Sequence, residues 1–378
     1  MTVGELHHGT AGRRLSAQRA PLWSIGVTAL LLFAGLGARR DTATAGAGSR
    51  GKTDSARRHR AGGDGRGRTA TSPTDIPAKG WKDIALRVYR GISDDRVVAN
   101  AAGVVFFGLL ALFPAIAALV SIYGLFADPA TISEHLDTVA GVLPGGAVDI
   151  IRDQLTRLTS QGQGTLGVSF VIGLGISLWS ANGGIKALFD ALNVVYGEQE
   201  KRSFIQLNAT SLLFTVGMIV FLLVALTVMV ALPVALDHLP LKQVTAFVVK
   251  IARWPVLLVL VAFGLALIYR YGPSRREPQW QWISPGSAFA AIVWVIASLL
   301  FSWYAENFGS YNKTYGSLGA VIGFMTWMWL SVIVILIGGK VNAEIEHQTA
   351  RDSTQGGGKP LGARHARMAD EVGAAQGS

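Results

Sequence analysis

Six apolar stretches, at 99–127, 166–188, 208–236, 248–268, 283–304 and 315–339, follow one another along the chain with polar breaks between them. Each reaches the roughly 18–20 residues that a helix needs to cross a bilayer. Water is then not the solvent of this part of the fold. In hydrocarbon every backbone N–H and C=O has to be paired, which leaves helices and closed barrels, and barrel strands would be shorter and would alternate in polarity. The pattern predicts an all-α, polytopic transmembrane helical bundle of about six spans.

Charge is withdrawn from this middle and gathered at the ends. Only 15% of the 378 residues are charged, against roughly 25% in an ordinary soluble domain. The net charge of +10 comes mostly from a basic arm holding Arg13, Arg14, Arg19, Arg39, Arg40, Arg50, Lys52, Arg57, Arg58, Arg60, Arg66 and Arg68. A basic flank beside a membrane span is explained by topology and by attraction to anionic lipid headgroups. No aromatic residue interleaves with the arginines of 50–68 to stack on bases, so no nucleic-acid partner is expected. The chain has no cysteine, hence no thiolate metal site and no cysteine nucleophile. Its seven histidines are scattered without the i,i+4 pairing of a helical zinc site. Neither a metal nor another cofactor is expected.

Residues 1–20 form a basic start, and 21–38 an apolar run of marginal length. Three readings fit that run: an uncleaved anchor or extra span, a signal peptide with Arg13 and Arg14 as a twin-arginine pair, or translation from a start codon upstream of the true one. The stretch 39–78 has almost no large apolar residues and reads as a disordered linker. The membrane domain then occupies 79–347, and 348–378 reads as a disordered tail. Within 81–96, Trp81, Ile84, Ala85, Val88 and Tyr89 alternate with Lys82, Arg87 and Arg90 at helical spacing. This is an amphipathic helix, lying either on the membrane surface or as a cap on the bundle. Helical spacing also recurs within 128–165 on both sides of a Pro-Gly-Gly break, predicting two short helices that form an outer cap.

Lysines and arginines set the orientation. With the arm inside, the inner segments hold Lys79, Lys82, Arg87, Arg90, Arg96, Lys201, Arg202, Arg270, Arg275, Arg276, Lys340 and Arg351, against Arg152, Arg157, Lys242, Lys250, Arg253 and Lys313 outside. Both ends of the core are therefore expected on the cytoplasmic side, with Lys250 and Arg253 running against the trend.

Polar residues inside spans are costly and mark candidate sites. Asn182, Lys186, Asp190 and Asn193 fall on one helical stripe, as a polar pathway in which Lys186 and Asp190 neutralise each other or as a solvated extension of the second span. Pro114 frees a backbone carbonyl in the first span, where a kink serves as a gate or as packing. Before the sixth span runs a loop with Tyr311, Tyr315 and Gly316, the tyrosines suited to the interface belt. Gly319 and Gly323, four apart, would let two helix backbones approach. At the inner end Lys340 and Glu344 flank Asn342 one turn apart, an interfacial ion pair of modest worth.

The motifs LLALFP at 109–114, LNVVYG at 192–197, WISPG at 282–286, YNKTYGSLG at 311–319 and GGKVNAE at 338–344 occur in an order and spacing that resembles the YihY/BrkB family of bacterial inner-membrane proteins, over about 81–347. Some members carry the older label ribonuclease BN. The resemblance implies six transmembrane helices, both ends cytoplasmic, and a multi-pass place in the inner membrane. Lys340 stands where the family usually has an acid, and Phe106 and Phe107 where many relatives have tyrosine. The residues offer no metal cluster, catalytic triad or soluble catalytic domain for a ribonuclease, so the chain is not expected to be an enzyme. Without a nucleotide-binding loop, transport of a small solute or lipid would be passive or ion-coupled. The alternative is a non-transporting envelope protein that organises partners or lipids. Membrane lipid is the expected partner; whether copies of the chain associate is left open.

Overall fold

A computed structural model describes residues 65–123, 166–227, 243–308, 317–356 and 358–376. The basic start, the apolar run 21–38, the outer cap 128–165, and Tyr311, Tyr315 and Gly316 lie outside the described residues.

After a short 3-10 turn at Pro73–Asp75, helix α1 covers Ala78–Asp94 and leads into six long helices. These are α2 (Val97–Tyr123), α3 (Leu166–Tyr196), α4 (Phe204–Leu226), α5 (Gln243–Tyr271), α6 (Trp280–Phe308) and α7 (Ser317–Glu346), and a single turn, α8 (Arg367–Asp370), follows. Among the described residues α2, α4, α6 and α7 are long and apolar enough to cross a membrane, and α5 contributes a shorter apolar stretch at Pro255–Tyr271. The bundle is all-helical, as the apolar pattern requires. Neighbouring helices run up and down, so that α3 packs on α2 and α4, while α6 packs on α5 and α7. Helix α7 is the hub, touching α1, α2, α3 and α6. Pro114, Pro255 and Pro285 all sit inside continuous helices.

The starts of α2, α4 and α6 and the ends of α3, α5 and α7 meet at one end of the bundle, its base. Local sequence fixes these ends. Ser203 and Gln206 form a reciprocal capping box that starts α4, each side chain accepting from the other's backbone N–H. Gly197 ends α3 with φ of +65°, a conformation that costs a side-chain-bearing residue energy. Helix α1 buries Ile84, Val88 and Ile92 in the common core and packs on α7 and α2. Of the two placements open to an amphipathic helix here, the structure takes the cap: protein occupies the apolar face.

Both segments beside the membrane domain depart from the expected disorder where they are described. Residues 65–76, 348–356 and 358–376 fold together over the base. Gln348 Nε2 donates to the Arg66 carbonyl at 2.7 Å, Thr349 Oγ1 to that of Ala70 at 2.7 Å, and the Ala350 N–H to that of Arg68 at 2.8 Å. Arg364, 3% exposed, donates to the carbonyls of Ala350, Arg351 and Ala369. Poverty in large apolar residues suggested no core of their own, and they have none. They are held by hydrogen bonds to a surface that the bundle supplies.

Candidate functional site

The base is built around the crossing of α6 and α7. Gly286 and Gly338 face each other there, and a Cβ added to Gly338 would lie 2.5 Å from Tyr269 Oη and 2.6 Å from Ala290 Cβ. Only glycine allows this approach. The crossing is pinned by the Gly286 N–H, which donates to Asn342 Oδ1 at 2.8 Å, and by Tyr269 Oη, which donates to the Ile335 carbonyl at 2.7 Å. Gly323, expected to let helices approach, has nothing within 4 Å of an added Cβ. Gly319 is buried. The close approach is therefore fifteen residues further along α7, where Tyr269 and Asn342 supply polar bonds as well as contact.

One turn beyond the crossing lies a buried charge cluster. Lys340 Nζ is 2.7 Å from Asp95 Oδ2 and 3.3 Å from Glu344 Oε1. Glu344 Oε2 in turn accepts from Arg87 Nε at 2.5 Å, and His347 Nδ1 is 3.3 Å away. Arg87 Nη2 donates to the Glu344 carbonyl and to Gln348 Oε1. The Lys340, Glu344 and Arg87 side chains are only 5–8% exposed, so the interfacial pair of modest worth is corrected. Four ionisable side chains from α1, α7 and the turn between α1 and α2 form one desolvated, alternating set, in which losing any member strands another. Burial raises the Asp95 carboxyl above its usual range despite the attraction of Lys340.

A second pair lies beside it. Arg275 Nη2 and Glu346 Oε1 are 2.6 Å apart with both side chains fully buried, and Ser353 Oγ donates to Glu346 Oε2 at 2.9 Å. The Arg275 guanidinium stacks 4.7 Å from the centre of the Tyr196 ring. The turns are then tied together by Asn193, whose Oδ1 accepts from the Ser274 N–H at 2.7 Å and whose Nδ2 donates to Glu200 at 3.1 Å. Glu200 pairs with Arg202 at 2.7 Å, and hydrogen bonds from Arg202 and Asn193 outweigh burial to hold its carboxyl at about 2.

The expected polar stripe does not act as a unit. Asn193 belongs to the base. Asn182 is fully buried against α4, 3.4 Å from Thr215 Oγ1, and its Nδ2 has no hydrogen-bond partner among the described residues. Lys186 lies over the Trp179 ring at 5.2 Å, Asp190 is exposed, and no ion pair joins the two. Among the described residues no three His, Asp or Glu side chains gather in a way that could hold a metal ion.

Sequence reasoning missed Arg87, Asp95, Tyr196, Arg275, Glu346 and Ser353. Arg275 counted only toward orientation, and Arg87 toward orientation and the polar face of α1. A signal was present in the spacing of Gly338, Asn342 and Glu346, an i,i+4 stripe in which a polar and an acidic residue continue a glycine face. What the motifs LNVVYG, WISPG and GGKVNAE share is this place: Asn193 and Tyr196, Trp282 and Gly286, and the stripe on α7 all belong to the base.

A family described as "Virulence factor BrkB" matches residues 88–360. The chain belongs to the BrkB family. The matched region runs from within α1 into the segment after α7, ending before α8. A "Putative ribonuclease-like protein YfkH" from Bacillus subtilis is 31% identical over 253 residues, covering 65% of this chain and 88% of that protein. A "UPF0761 membrane protein PSHAa0171" from Pseudoalteromonas translucida is 25% identical over 269 residues, covering 69% and 85%. Another UPF0761 membrane protein, from Alkalilimnicola ehrlichii, is 24% identical over 294 residues, covering 73% and 61%. No solved structure matches the chain. This BrkB-family chain is thus an integral, multi-pass membrane protein, as its apolar helices require.

Proposed function

We propose that this BrkB-family protein moves a small solute or lipid across the bacterial inner membrane, passively or coupled to an ion, through a bundle of six spans whose base faces the cytoplasm. The observation that supports it is Asn182. A buried amide between two apolar helices, whose N–H groups find no partner among the described residues, costs energy that a helix pair built only for lipid contact avoids by using leucine. A polar group kept at that depth suits a path for something polar. The base is then the closed end of that path, its charges compensated in pairs, and its many arginines and lysines favour the cytoplasmic side.

The role is not enzymatic in this reading, and the ribonuclease-like name stays with the Bacillus relative. Purified protein in liposomes, tested with small anions, cations and fluorescent lipid probes, should move at least one of them. Asn182→Leu should abolish that movement while the protein remains folded. Absence of movement for every probe, or full activity of Asn182→Leu, overturns the proposal. The folded platform of 65–76 and 348–376 favours a second reading, an envelope protein that organises partners at the base, which predicts a cellular phenotype lost with the platform and indifferent to Asn182. Anionic lipid headgroups on the basic arm suit either.

A further inference from the structure

Residues 372–376, without regular secondary structure, cross the base between α1 and the end of α7. Their hydrogen bonds run to α1, to the turn after α7 and to Arg66. The Gly373 N–H donates to the His347 carbonyl at 2.7 Å, the Ala374 carbonyl accepts from Arg87 Nη1 at 3.1 Å, and the Gln376 N–H donates to Asp83 Oδ1 at 2.9 Å. Arg66, itself 2.7 Å from Asp83, donates to the Gln376 carbonyl, and Arg90 reaches the Gln376 side chain. Gly373 is seated so closely that a Cβ there would lie 2.9 Å from Arg87 Cζ and 3.1 Å from His347 Nδ1.

The means of attachment sets the behaviour of this strap. Ala374 and Ala375 are exposed and Val372 only half-buried, so little apolar surface is removed from water when it binds. Hydrogen bonds that water can replace hold it, most of them to the charged side chains of Arg66, Arg87, Arg90 and Asp83 and not to a packed apolar surface. Segments bound in this way open far more readily than the helices beneath them. Yet the strap covers Arg87, the residue that joins α1 to Glu344 on α7. With it gone, water reaches the Arg87–Glu344 pair and weakens it through the higher local dielectric. Asp83 then loses the backbone donor of Gln376.

We propose that residues 372–376 are a detachable latch: bound, they lock α1 onto the end of α7 and keep the base closed; released, they free α1 to move and the base to open. The opening of a path through the base rests on the transport reading above, whereas the latch itself does not. The two are separated by measuring amide exchange and flux on the full chain in lipid nanodiscs and liposomes. In the wild type, the Gly373 and Gln376 amides should be protected. Gly373→Leu and deletion of 372–378 should each raise exchange across 79–94 roughly tenfold while leaving 321–337 unchanged. Both should also raise the flux of any probe that the wild type moves.

Unprotected strap amides in the wild type, or unchanged exchange in 79–94 after release, overturn the latch. Loss of protection through the whole bundle also overturns it, by making the strap a structural part. Flux that exists in the wild type and does not rise on release overturns it as a gate. A wild type that moves nothing overturns the transport reading, and the exchange result then decides the latch.

Discussion

The base of the bundle and its far half are made of the same six helices, yet they are held by different forces. At the base, glycines 91, 272, 286 and 338 would each bring an added Cβ into collision, and charged side chains are buried in matched sets. In the far half, glycines 173, 175, 217 and 323 have nothing within 4 Å of that position. Val171, Ile176 and Leu299 are each more than 60% exposed there. The reason lies in the solvent. An apolar side chain gains nothing by leaving lipid tails for a protein interior, so helices in hydrocarbon are fixed by close backbone contact and polar bonds. The base has both, together with the burial of apolar surface from water that α1 provides.

The largest effect should come from the α6–α7 crossing. Gly338→Val places a branched side chain against Tyr269 Oη, Ala290 Cβ and the Gly286 carbonyl, with helix backbone behind them. Ordinary overpacking costs about 1–3 kcal/mol because neighbours yield. Here they cannot, and the variant should fail to yield a monodisperse protein in detergent size-exclusion chromatography. A well-folded Gly338→Val would show that the crossing does not organise the base.

The charge cluster should come next. Arg87→Ala leaves Glu344 facing Lys340 alone, with His347 at 3.3 Å, and strands an acid in a site that excludes water. Breaking a buried pair in this way costs roughly 3–5 kcal/mol. The loss is read as a lower midpoint in denaturant titration of the protein in micelles. Glu344→Gln paired with Arg87→Met should recover part of it, since two uncharged partners avoid the stranded charge. If each single variant is within error of the wild type, the base is hydrated and the contrast with the far half disappears.

Much of this architecture is legible in the residues, and the division between what is and what is not has a physical cause. Length and hydropathy require helices because the backbone has no other partner in lipid, and that constraint is local to each segment. The spacing of Ile84, Val88 and Ile92 likewise shows an amphipathic α1. What covers its apolar face is not local, and neither is the pairing of Arg87 with Glu344 across 257 residues. Lys186 and Asp190 share a helical stripe, yet they are separated because Trp179 and solvent offer each a separate environment. Composition misleads most at 348–376: a segment without a core of its own still folds when a neighbour presents buried carbonyls and charges to bond.

A smaller effect should appear at the Asn193–Glu200–Arg202 tie between turns. Arg202 and Asn193 hold the Glu200 carboxyl at about 2 in the folded protein, below the 4.5 of a free glutamate. A depressed folded value means that the stabilisation is fully present above the unfolded value and fades as pH falls from there through about 2. Since the pair is partly exposed, about 1 kcal/mol is expected rather than the full shift. Glu200→Gln should therefore melt below the wild type at pH 6, and the two melting curves should converge as the pH is lowered toward 3. A gap that is independent of pH would assign the effect to the amide's packing, not to the charge.

The smallest effect tests the far half directly. Gly323→Ala adds one methyl to α7, the helix that cannot accept it at Gly338, at a position where that methyl meets open space. Replacing a mid-helix glycine by alanine removes backbone freedom from the unfolded chain and favours the helix by up to about 1 kcal/mol where the site accepts it. The expected result is a melting temperature unchanged or slightly raised, with Gly338→Ala on the same helix falling well below both. Should Gly323→Ala destabilise as much as Gly338→Ala, another surface packs on that face of α7 and the far half is as tightly fixed as the base. Should it stabilise, the glycine at 323 is kept for something other than packing, and the mobility it confers belongs to the half of the bundle where a moving solute would have to pass.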